Sequence, residues 1–272
     1  MVTGKMKRLF SILTVLAFAY TTFAQTKVIA HRGYWDTNGS AQNSIRSLIK
    51  ADSIGCYGSE FDVWMTADNQ LIVNHDAKIE GHKIETSYSA DILACSLSNG
   101  EKVPSLEQYL TVGKKCTTRL ILELKPHTTA ERENIAVKKI LALVDSLKLN
   151  DRMEYISFSL NACKQFIASA PKGTPVFYLN GELPPSQLKV MGFAGFDYNL
   201  STFYACPTWI EDAHRIGLKV NFWTVNKEKD LRRLVNAGAD FITTNNPELL
   251  QQIIADSKKN KIVRFHNKLS HW

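Results

Sequence analysis

The 272-residue sequence carries 33 basic and 26 acidic side chains, for a formal net charge of +7. This excess is compatible with an anionic substrate, but no basic motif is interleaved with aromatic residues, so we do not expect a nucleic acid as a partner. Five cysteines without C-x-x-C spacing disfavour a zinc site or a thioredoxin-like function, and we expect most of them to be small buried side chains.

The first predicted element is a secretory signal. Three basic residues precede an apolar run over residues 9–19, and the small residue Ala24 ends the segment, which is the order typical of a signal peptide. The apolar run is shorter than the roughly 20 residues that a membrane-spanning helix needs. The alternative to a signal peptide is an uncleaved membrane anchor. We therefore expect residues 1–24 to be a signal peptide and the protein to be exported, either to the periplasm or out of the cell.

Beyond this leader, short apolar strands alternate with amphipathic stretches. The predicted strands are 27–33, 58–64, 119–125, 153–159, 175–180, 195–198, 219–225 and 240–244. The predicted helices are 43–53, 130–148, 160–170, 207–216, 227–237 and 247–258. Strands joined by helical crossovers favour a closed parallel barrel over an open sheet, and residues 25–272 match the roughly 250 residues of one (β/α)8 barrel. The predicted fold class is an α/β TIM barrel.

The interval between the second and third strands is longer than one crossover helix needs. It contains a hairpin turn at residues 67–70 and a helix start at Ser105, which forms the pattern of a capping box with Gln108. We interpret residues 77–102 as a small insertion over the barrel mouth, with an ordinary surface loop as the alternative.

The first two strands carry polar residues that are unusual in a core. His31-Arg32-Gly33 ends the first strand, and the second contains Glu60 and Asp62. Residues i and i+2 of a strand share a face at a spacing of about 6.5–7 Å, so these two carboxylates are close enough to hold one cation. Two acids on the inner face of a buried strand are costly unless they are paired or bind a metal. The pattern therefore predicts a functional site.

Several motifs together resemble the glycerophosphodiester phosphodiesterase family, a phospholipase C-like barrel. They are HRG at 31–33, EFDVWMTADNQLIVNHD at 60–76, VPSLEQYL at 103–110, LILELKP at 120–126, AHRIGLKVNFWTVN at 213–226 and GADFITTNNP at 238–247. Their order and spacing over nearly the whole mature chain are more specific than any single motif. The resemblance implies a (β/α)8 barrel that hydrolyses glycerophosphodiesters to an alcohol and glycerol 3-phosphate with a divalent cation.

By this resemblance, Glu60, Asp62 and Glu123 are the metal ligands. Three converging carboxylates suit a hard cation such as Mg²⁺, Ca²⁺ or Mn²⁺. Glu123 and Lys125 repeat the i, i+2 spacing in the third strand. The alternative for Glu123 is therefore a buried ion pair with Lys125.

The remaining candidate residues fit phosphodiester cleavage. An imidazole ordinarily titrates near neutral pH, so His31 and His75 suit the roles of general base and general acid. Arg32 can grip a phosphate oxygen bidentately, and Lys125 supplies a point charge. Trp223 either lies against the glycerol or leaving group or fills the barrel mouth. The resemblance implies attack by the substrate's own glycerol hydroxyl to give a cyclic phosphate, and direct attack by water is the alternative.

Two residues depart from the family pattern, which usually has glutamate at the position of Gln42 and often has aspartate at the position of Asn245.

We expect the other histidines to be surface groups: His82, His127, His214, His266 and His271. Alternatives to the predicted function are a phospholipase C- or D-like barrel acting on intact lipid and a silent protein that binds a phosphorylated ligand. The basic tail, residues 258–272, is a candidate for weak contact with an anionic membrane surface. Head group, cation, disulfide pattern and oligomeric state stay open.

Overall fold

A computed structural model of the chain describes residues 25–269 and the side chains up to residue 259, so the predicted signal peptide lies outside the described residues. The strands are β1 (Lys27–Ala30), β2 (Gly58–Met65), β3 (Leu71–Val73), β4 (Lys78–Ile79), β5 (His82–Lys83), β6 (Arg119–Leu124), β7 (Met153–Ser157), β8 (Val176–Tyr178), β9 (Gly195–Asn199), β10 (Lys219–Trp223) and β11 (Phe241–Thr244). The helices are α1 (Ile45–Ser53), α2 (Ser89–Ala94), α3 (Leu106–Gly113), α4 (Ala130–Ser146), α5 (Leu160–Ser169), α6 (Pro185–Val190), α7 (Leu200–Ala205), α8 (Trp209–Arg215), α9 (Glu228–Ala237) and α10 (Pro247–Leu269).

Eight parallel strands close into a barrel. They neighbour one another in the order β1, β2, β6, β7, β8, β9, β10 and β11, and β11 pairs again with β1. The register places Ala30 opposite both Ser59 and Thr244, so the first strand is bonded on both edges. Each of the eight predicted strands overlaps one strand of this barrel. The predicted TIM-barrel fold is confirmed.

Side-chain alternation along the strands separates two apolar layers. Outward residues such as Phe61 and Val63 pack against the surrounding helices in the main core. Inward residues form a smaller cluster inside the barrel: Ile29, Ile121, Ile156, Phe177, Leu179 and Phe241. In β1 and β6 the inner apolar residue is followed two positions later by His31 or Glu123. This cluster therefore fills the barrel below the C-terminal strand ends, where the polar residues lie.

The long interval after β2 starts with a hairpin. β2 pairs antiparallel with β3, with Val63 opposite Val73. A two-stranded β4–β5 ribbon, a 3₁₀ turn and α2 follow. The predicted capping box of α3 is confirmed, because the backbone N–H of Gln108 donates to Ser105 Oγ at 3.2 Å and that of Ser105 donates to Gln108 Oε1 at 2.9 Å.

Some smaller expectations have mixed outcomes. All five cysteines are free and four are buried, as expected of small core residues. The expectation of surface histidines is wrong for His127 and His214, which are half-buried: His127 Nε2 accepts from the Met65 N–H at 3.0 Å, and His214 Nε2 lies 2.7 Å from an Asp240 oxygen. α10 continues beyond its predicted end to Leu269. Within the described residues, no helix combines the length and apolarity needed to cross a membrane.

Candidate active site

The turn after β1 ties the first two strands together. Arg32 (φ +56°) and Gly33 (φ +74°) both adopt the left-handed conformation, which is costly for arginine. A Cβ on Gly33 would lie 2.3 Å from Ser47 Oγ, so only glycine fits at this point. The backbone N–H of Arg32 donates to Glu60 Oε2 at 2.8 Å, and that of Gly33 donates to the Glu60 carbonyl at 3.0 Å. The turn therefore fixes His31, Arg32 and Glu60 relative to one another.

Three buried carboxylates converge at the C-terminal ends of β2 and β6. One oxygen from each of Glu60, Asp62 and Glu123 lies within 4.8 Å of the other two. Lys125 Nζ lies 2.6 Å from Asp62 Oδ1 and 2.7 Å from Glu123 Oε1. The two interpretations of Glu123 therefore coexist, because the same residue belongs to the acidic cluster and contacts Lys125.

Asn43 binds Asp62 through two hydrogen bonds. Its Nδ2 donates to Asp62 Oδ2 at 2.8 Å, and the Asp62 backbone N–H donates to Asn43 Oδ1 at 3.1 Å. Asn43 has φ +60°, a conformation that asparagine adopts more readily than most residues. Arg32 Nε lies 3.7 Å from the same Asp62 oxygen. Sequence reasoning missed this role of Asn43, because its contact with Asp62 joins side chains 19 positions apart in different segments.

The pKa values of the three carboxyl groups are shifted in different directions. Burial raises the pKa of Glu60 well above its ordinary value, and the neighbouring Asp62 and Glu123 raise it further. Burial also raises the pKa of Glu123 to about 7, with Asp62 adding to the effect. Burial opposes ionisation of Asp62 as well, but the Lys125 ammonium outweighs it and the pKa of Asp62 is lowered.

When all three carboxyls are ionised, the acidic cluster carries more negative charge than the contacting lysine neutralises. Glu60 Oε1 is buried and has no hydrogen-bond partner in the part of the chain that the structure describes. Such an oxygen is costly to leave unpaired, and a cation would relieve both this cost and the repulsion that raises the carboxyl pKa values. The donor set consists of carboxylate oxygens, which hard divalent cations prefer. The residues present fit such an ion.

His31 is held as a neutral imidazole. Its Nδ1 lies 2.7 Å from Asn245 Oδ1, and the Trp35 indole N–H donates to the same oxygen at 3.3 Å. The indole donor identifies this amide atom as an acceptor, so His31 Nδ1 carries the proton and Nε2 has the free lone pair. Burial, assisted by the charge of Arg32, lowers the pKa of His31 to about 4.

His75 reaches the site from the hairpin rather than from a barrel strand. The Asn74 N–H donates to the Asp62 carbonyl at 3.1 Å, and the Trp64 indole donates to the His75 carbonyl at 3.1 Å. His75 Nδ1 lies 2.7 Å from Asp76 Oδ1. Burial lowers the pKa of His75 below its ordinary value, and the charge of Asp62 and the hydrogen bond to Asp76 oppose this shift only in part.

One cavity of about 120 Å³ unites these groups. The predicted site residues that line it are His31, Arg32, Glu60, His75, Glu123, Lys125 and Trp223. Asp62 lies beneath it, in contact with Lys125. Two larger depressions, of about 550 and 790 Å³, are open grooves whose linings contain no histidine or aspartate. The structure therefore brings all eight predicted site residues to one place.

Two further predicted residues have defined partners. Trp223 Nε1 donates to the Asp197 carbonyl at 2.9 Å, and its ring packs edge-on against Phe158 with centroids 5.5 Å apart. Gln42 Oε1 accepts a hydrogen bond from Arg32 Nη1, so the amide at this position still engages the arginine. Asp197 itself also lines the cavity and was missed in the sequence.

The fold and site define a TIM-barrel enzyme with an acidic, histidine-flanked centre. Residues 31–249 match the glycerophosphoryl diester phosphodiesterase family. The crystal structure of a glycerophosphodiester phosphodiesterase from Parabacteroides distasonis ATCC 8503 is similar, with 49% identity, a TM-score of 0.85, and coverage of 86% of this chain and 99% of that chain. The chain therefore belongs to the glycerophosphodiester phosphodiesterase family and is a phosphoric diester hydrolase.

Two other proteins are also similar to this chain, one in sequence and one in fold. A glycerophosphodiester phosphodiesterase from Caldanaerobacter subterraneus subsp. tengcongensis is 25% identical over 246 residues, which cover 85% of this chain and 98% of the relative. An Oleispira antarctica phosphodiesterase, solved in complex with the product sn-glycerol-3-phosphate, shares the fold at a TM-score of 0.76 and 24% identity, over 85% of this chain and 97% of that chain.

Replacing Asn245 with aspartate tests the assigned state of His31. A carboxylate at Nδ1 favours the imidazolium, so we expect the pKa of His31 to rise from about 4 towards its ordinary 6.5 or above. The wild type should lose stability as pH falls from about 6.5 to 4, because the unfolded state takes up the proton first. The Asn245→Asp variant should lose less stability over the same pH range. NMR titration of the His31 ring measures the pKa, and urea unfolding measures the stability.

Asn246→Asp is the matched control, because its side chain donates to the Asn226 carbonyl at 3.2 Å rather than contacting His31. It should shift the His31 titration less than Asn245→Asp. A wild-type His31 that titrates near 6.5 would contradict the assignment.

Proposed function

We propose that this protein is an exported, divalent-cation-dependent phosphodiesterase that releases glycerol 3-phosphate from the glycerophosphodiesters of deacylated phospholipids. The observation that carries the proposal is the convergence of the Glu60, Asp62 and Glu123 carboxylates with two histidines in one cavity. The Oleispira relative, in complex with sn-glycerol-3-phosphate, supports the same product here.

In the proposed site, Glu60, Asp62 and Glu123 hold the cation. Mg²⁺, Ca²⁺ and Mn²⁺ all accept such an oxygen-rich ligand set. When bound, the ion would supply positive charge against the phosphoryl oxygens. Arg32 and Lys125 line the same cavity beside these carboxylates, and they add a planar hydrogen-bond donor and a compact charge to the phosphate-binding wall.

The two histidines are assigned different roles. His31 Nε2 is an uncharged acceptor, so it takes the proton from the glycerol hydroxyl next to the phosphate as that oxygen attacks phosphorus. His75, whose Nδ1 lies 2.7 Å from Asp76 Oδ1, gives a proton to the departing alcohol. Water then opens the resulting cyclic phosphate with the roles reversed. Direct attack by water, activated by the same base, is the alternative.

Removal and return of the cation test the proposed reaction. We expect the mature protein, stripped with a chelator, to lose release of glycerol 3-phosphate from glycerophosphocholine and to regain it with Mg²⁺, Ca²⁺ or Mn²⁺. Glu60→Gln should weaken cation binding, because one anionic ligand becomes neutral, and excess cation should partly restore its activity. Calorimetric titration with each ion measures the affinity directly.

Three outcomes would contradict this assignment. Tight cation binding by Glu60→Gln would remove Glu60 from the ligand set. Faster hydrolysis of phospholipid in liposomes than of soluble glycerophosphocholine would favour a phospholipase. A folded, cation-loaded protein without turnover on either substrate would favour a silent phosphate-binding protein.

Alanine substitution of either histidine tests the proposed acid–base pair. His31→Ala and His75→Ala should each lower kcat by about 10²–10⁴-fold, the usual contribution of general acid–base catalysis. His82→Ala is a suitable control, because His82 is an exposed residue of β5 that does not line the cavity. Unchanged thermal midpoints would show that the fold persists. Near-wild-type activity of His31→Ala or His75→Ala would exclude that residue from the mechanism.

Export rests on the N-terminal sequence. We expect cleavage after Ala24, so that the mature protein begins at Gln25 and its formal charge falls from +7 to +4 through loss of three basic residues. Mass spectrometry of the N-terminus in the secreted or periplasmic fraction measures the cleavage point. An intact N-terminus in the membrane fraction would instead indicate an uncleaved anchor.

A further inference from the structure

Asp197 occupies an unusual position inside the barrel. It lies in β9, which is four strands away from β2 in either direction around the closed sheet. Its neighbours Phe196 and Tyr198 pack outward in the main core, so Asp197 points inward. The residue is 2% exposed and lines the same cavity as His31 and Glu60. It therefore faces the acidic cluster from the opposite wall.

The Asp197 side chain has an unused hydrogen-bonding atom. Oδ1 is buried and has no partner among the described residues. The backbone is fixed, because the Asp197 carbonyl accepts the Trp223 indole N–H at 2.9 Å. On β10, the register partner Asn221 lies beside the carboxyl and its side chain opposes the rise in the pKa of Asp197; Asn221 Nδ2 also donates to Thr243 Oγ1 at 2.8 Å. A buried polar atom without a partner is costly, so this carboxyl is suited to a ligand that supplies one.

The charges of the cavity indicate which part of the substrate contacts Asp197. The cationic side chains that line the cavity, Arg32 and Lys125, follow β1 and β6, whereas β9 contributes an acid. A phosphate is drawn to the cationic wall and repelled by an ionised carboxyl. Burial raises the pKa of Asp197 well above its ordinary value, and an uncharged carboxyl can both donate to and accept from a hydroxyl.

The adjoining surfaces are apolar. Ile156, Leu179 and Phe158 line the cavity together with Trp223. A short carbon chain fits against such surfaces, with its hydroxyl directed at Asp197, the carboxyl that the described lining residues place on this side. With the phosphate at the cationic wall and the adjacent hydroxyl facing His31, the group that reaches furthest from the phosphate is the terminal hydroxyl of glycerol.

We propose that Asp197 is a specificity-determining residue that hydrogen-bonds the terminal hydroxyl of the substrate's glycerol group. This inference rests on the proposed function, and it names the part of the site that distinguishes glycerol from other alcohols carrying a hydroxyl next to the phosphate.

The test compares two soluble diesters. One is glycerophosphocholine, and the other is the phosphocholine diester of propane-1,2-diol, which keeps the hydroxyl next to the phosphate and lacks the terminal one. We expect the wild type to prefer the first by about 10–100-fold in kcat/KM, as for loss of one buried hydrogen bond. Asp197→Leu should bring this ratio close to 1, mainly by raising KM for glycerophosphocholine. Asp197→Asn, which retains polar atoms in the same shape, should keep most of the preference.

Glu154→Gln is the matched control. Glu154 is another buried carboxylate on an inward position, but its Oε1 already accepts from Tyr57 at 2.5 Å and from Arg119 Nε at 2.6 Å. This change should lower the thermal midpoint without altering the substrate ratio. If Asp197→Leu lowers kcat/KM for both diesters by the same factor and keeps the wild-type ratio, Asp197 is a structural residue and the proposal is wrong.

A separate binding measurement distinguishes failure of the proposed function from failure of the Asp197 proposal. If the cation-loaded wild type hydrolyses neither diester, the proposed reaction is wrong, and calorimetry then compares binding of glycerol 3-phosphate and propane-1,2-diol 1-phosphate. Preference for glycerol 3-phosphate that disappears in Asp197→Leu would support the hydroxyl site. Equal binding of the two, or no binding of either, would overturn it.

Discussion

The contact of the Lys125 ammonium with Asp62 and Glu123 is the interaction on which the site depends. Burial opposes the charge on Lys125, but the two carboxylates outweigh this effect and raise its pKa. Because Asp62 and Glu123 are register partners on β2 and β6, one lysine can bridge both. It holds the strand ends at a spacing that would otherwise be opposed by repulsion between like charges. Among the described residues, the carboxylates that pair with Lys125 are Asp62 and Glu123, which leaves Glu60 Oε1 for a cation.

The chain positions the acidic cluster chiefly through backbone geometry. Arg32 and Asn43 both have positive φ, and each binds one member of the cluster from the segment between β1 and α1. The strain at these residues persists because the turn is bonded to the neighbouring strand. Glu60 and Asp62 are therefore oriented before any ligand arrives, which reduces the cost of ordering them on binding.

The sequence predicted what strand geometry determines. The succession of short apolar runs and amphipathic stretches identified the barrel strands. The two-residue spacing placed Glu60 with Asp62 and Glu123 with Lys125, since side chains two residues apart share a face. The sequence could not predict contacts that depend on how distant segments pack. One such contact joins Asn245 to His31 across 214 positions. Asp197 is different, because its flanking aromatic residues Phe196 and Tyr198 are an alternation signal that was available and was not used.

The barrel divides its inner surface by charge. Charged groups on the ends of β1, β2 and β6 form one wall, while β10 and β11 supply Trp223 and Thr243, which are uncharged. A glycerophosphodiester is divided in the same way, because its phosphate is anionic and its glycerol is neutral. Matching a neutral polyol to the uncharged side keeps the cationic groups available for phosphate. It also directs the alcohol beyond the phosphate towards solvent, where barrel enzymes vary their loops, so the strands can fix the reaction while loops set the head group.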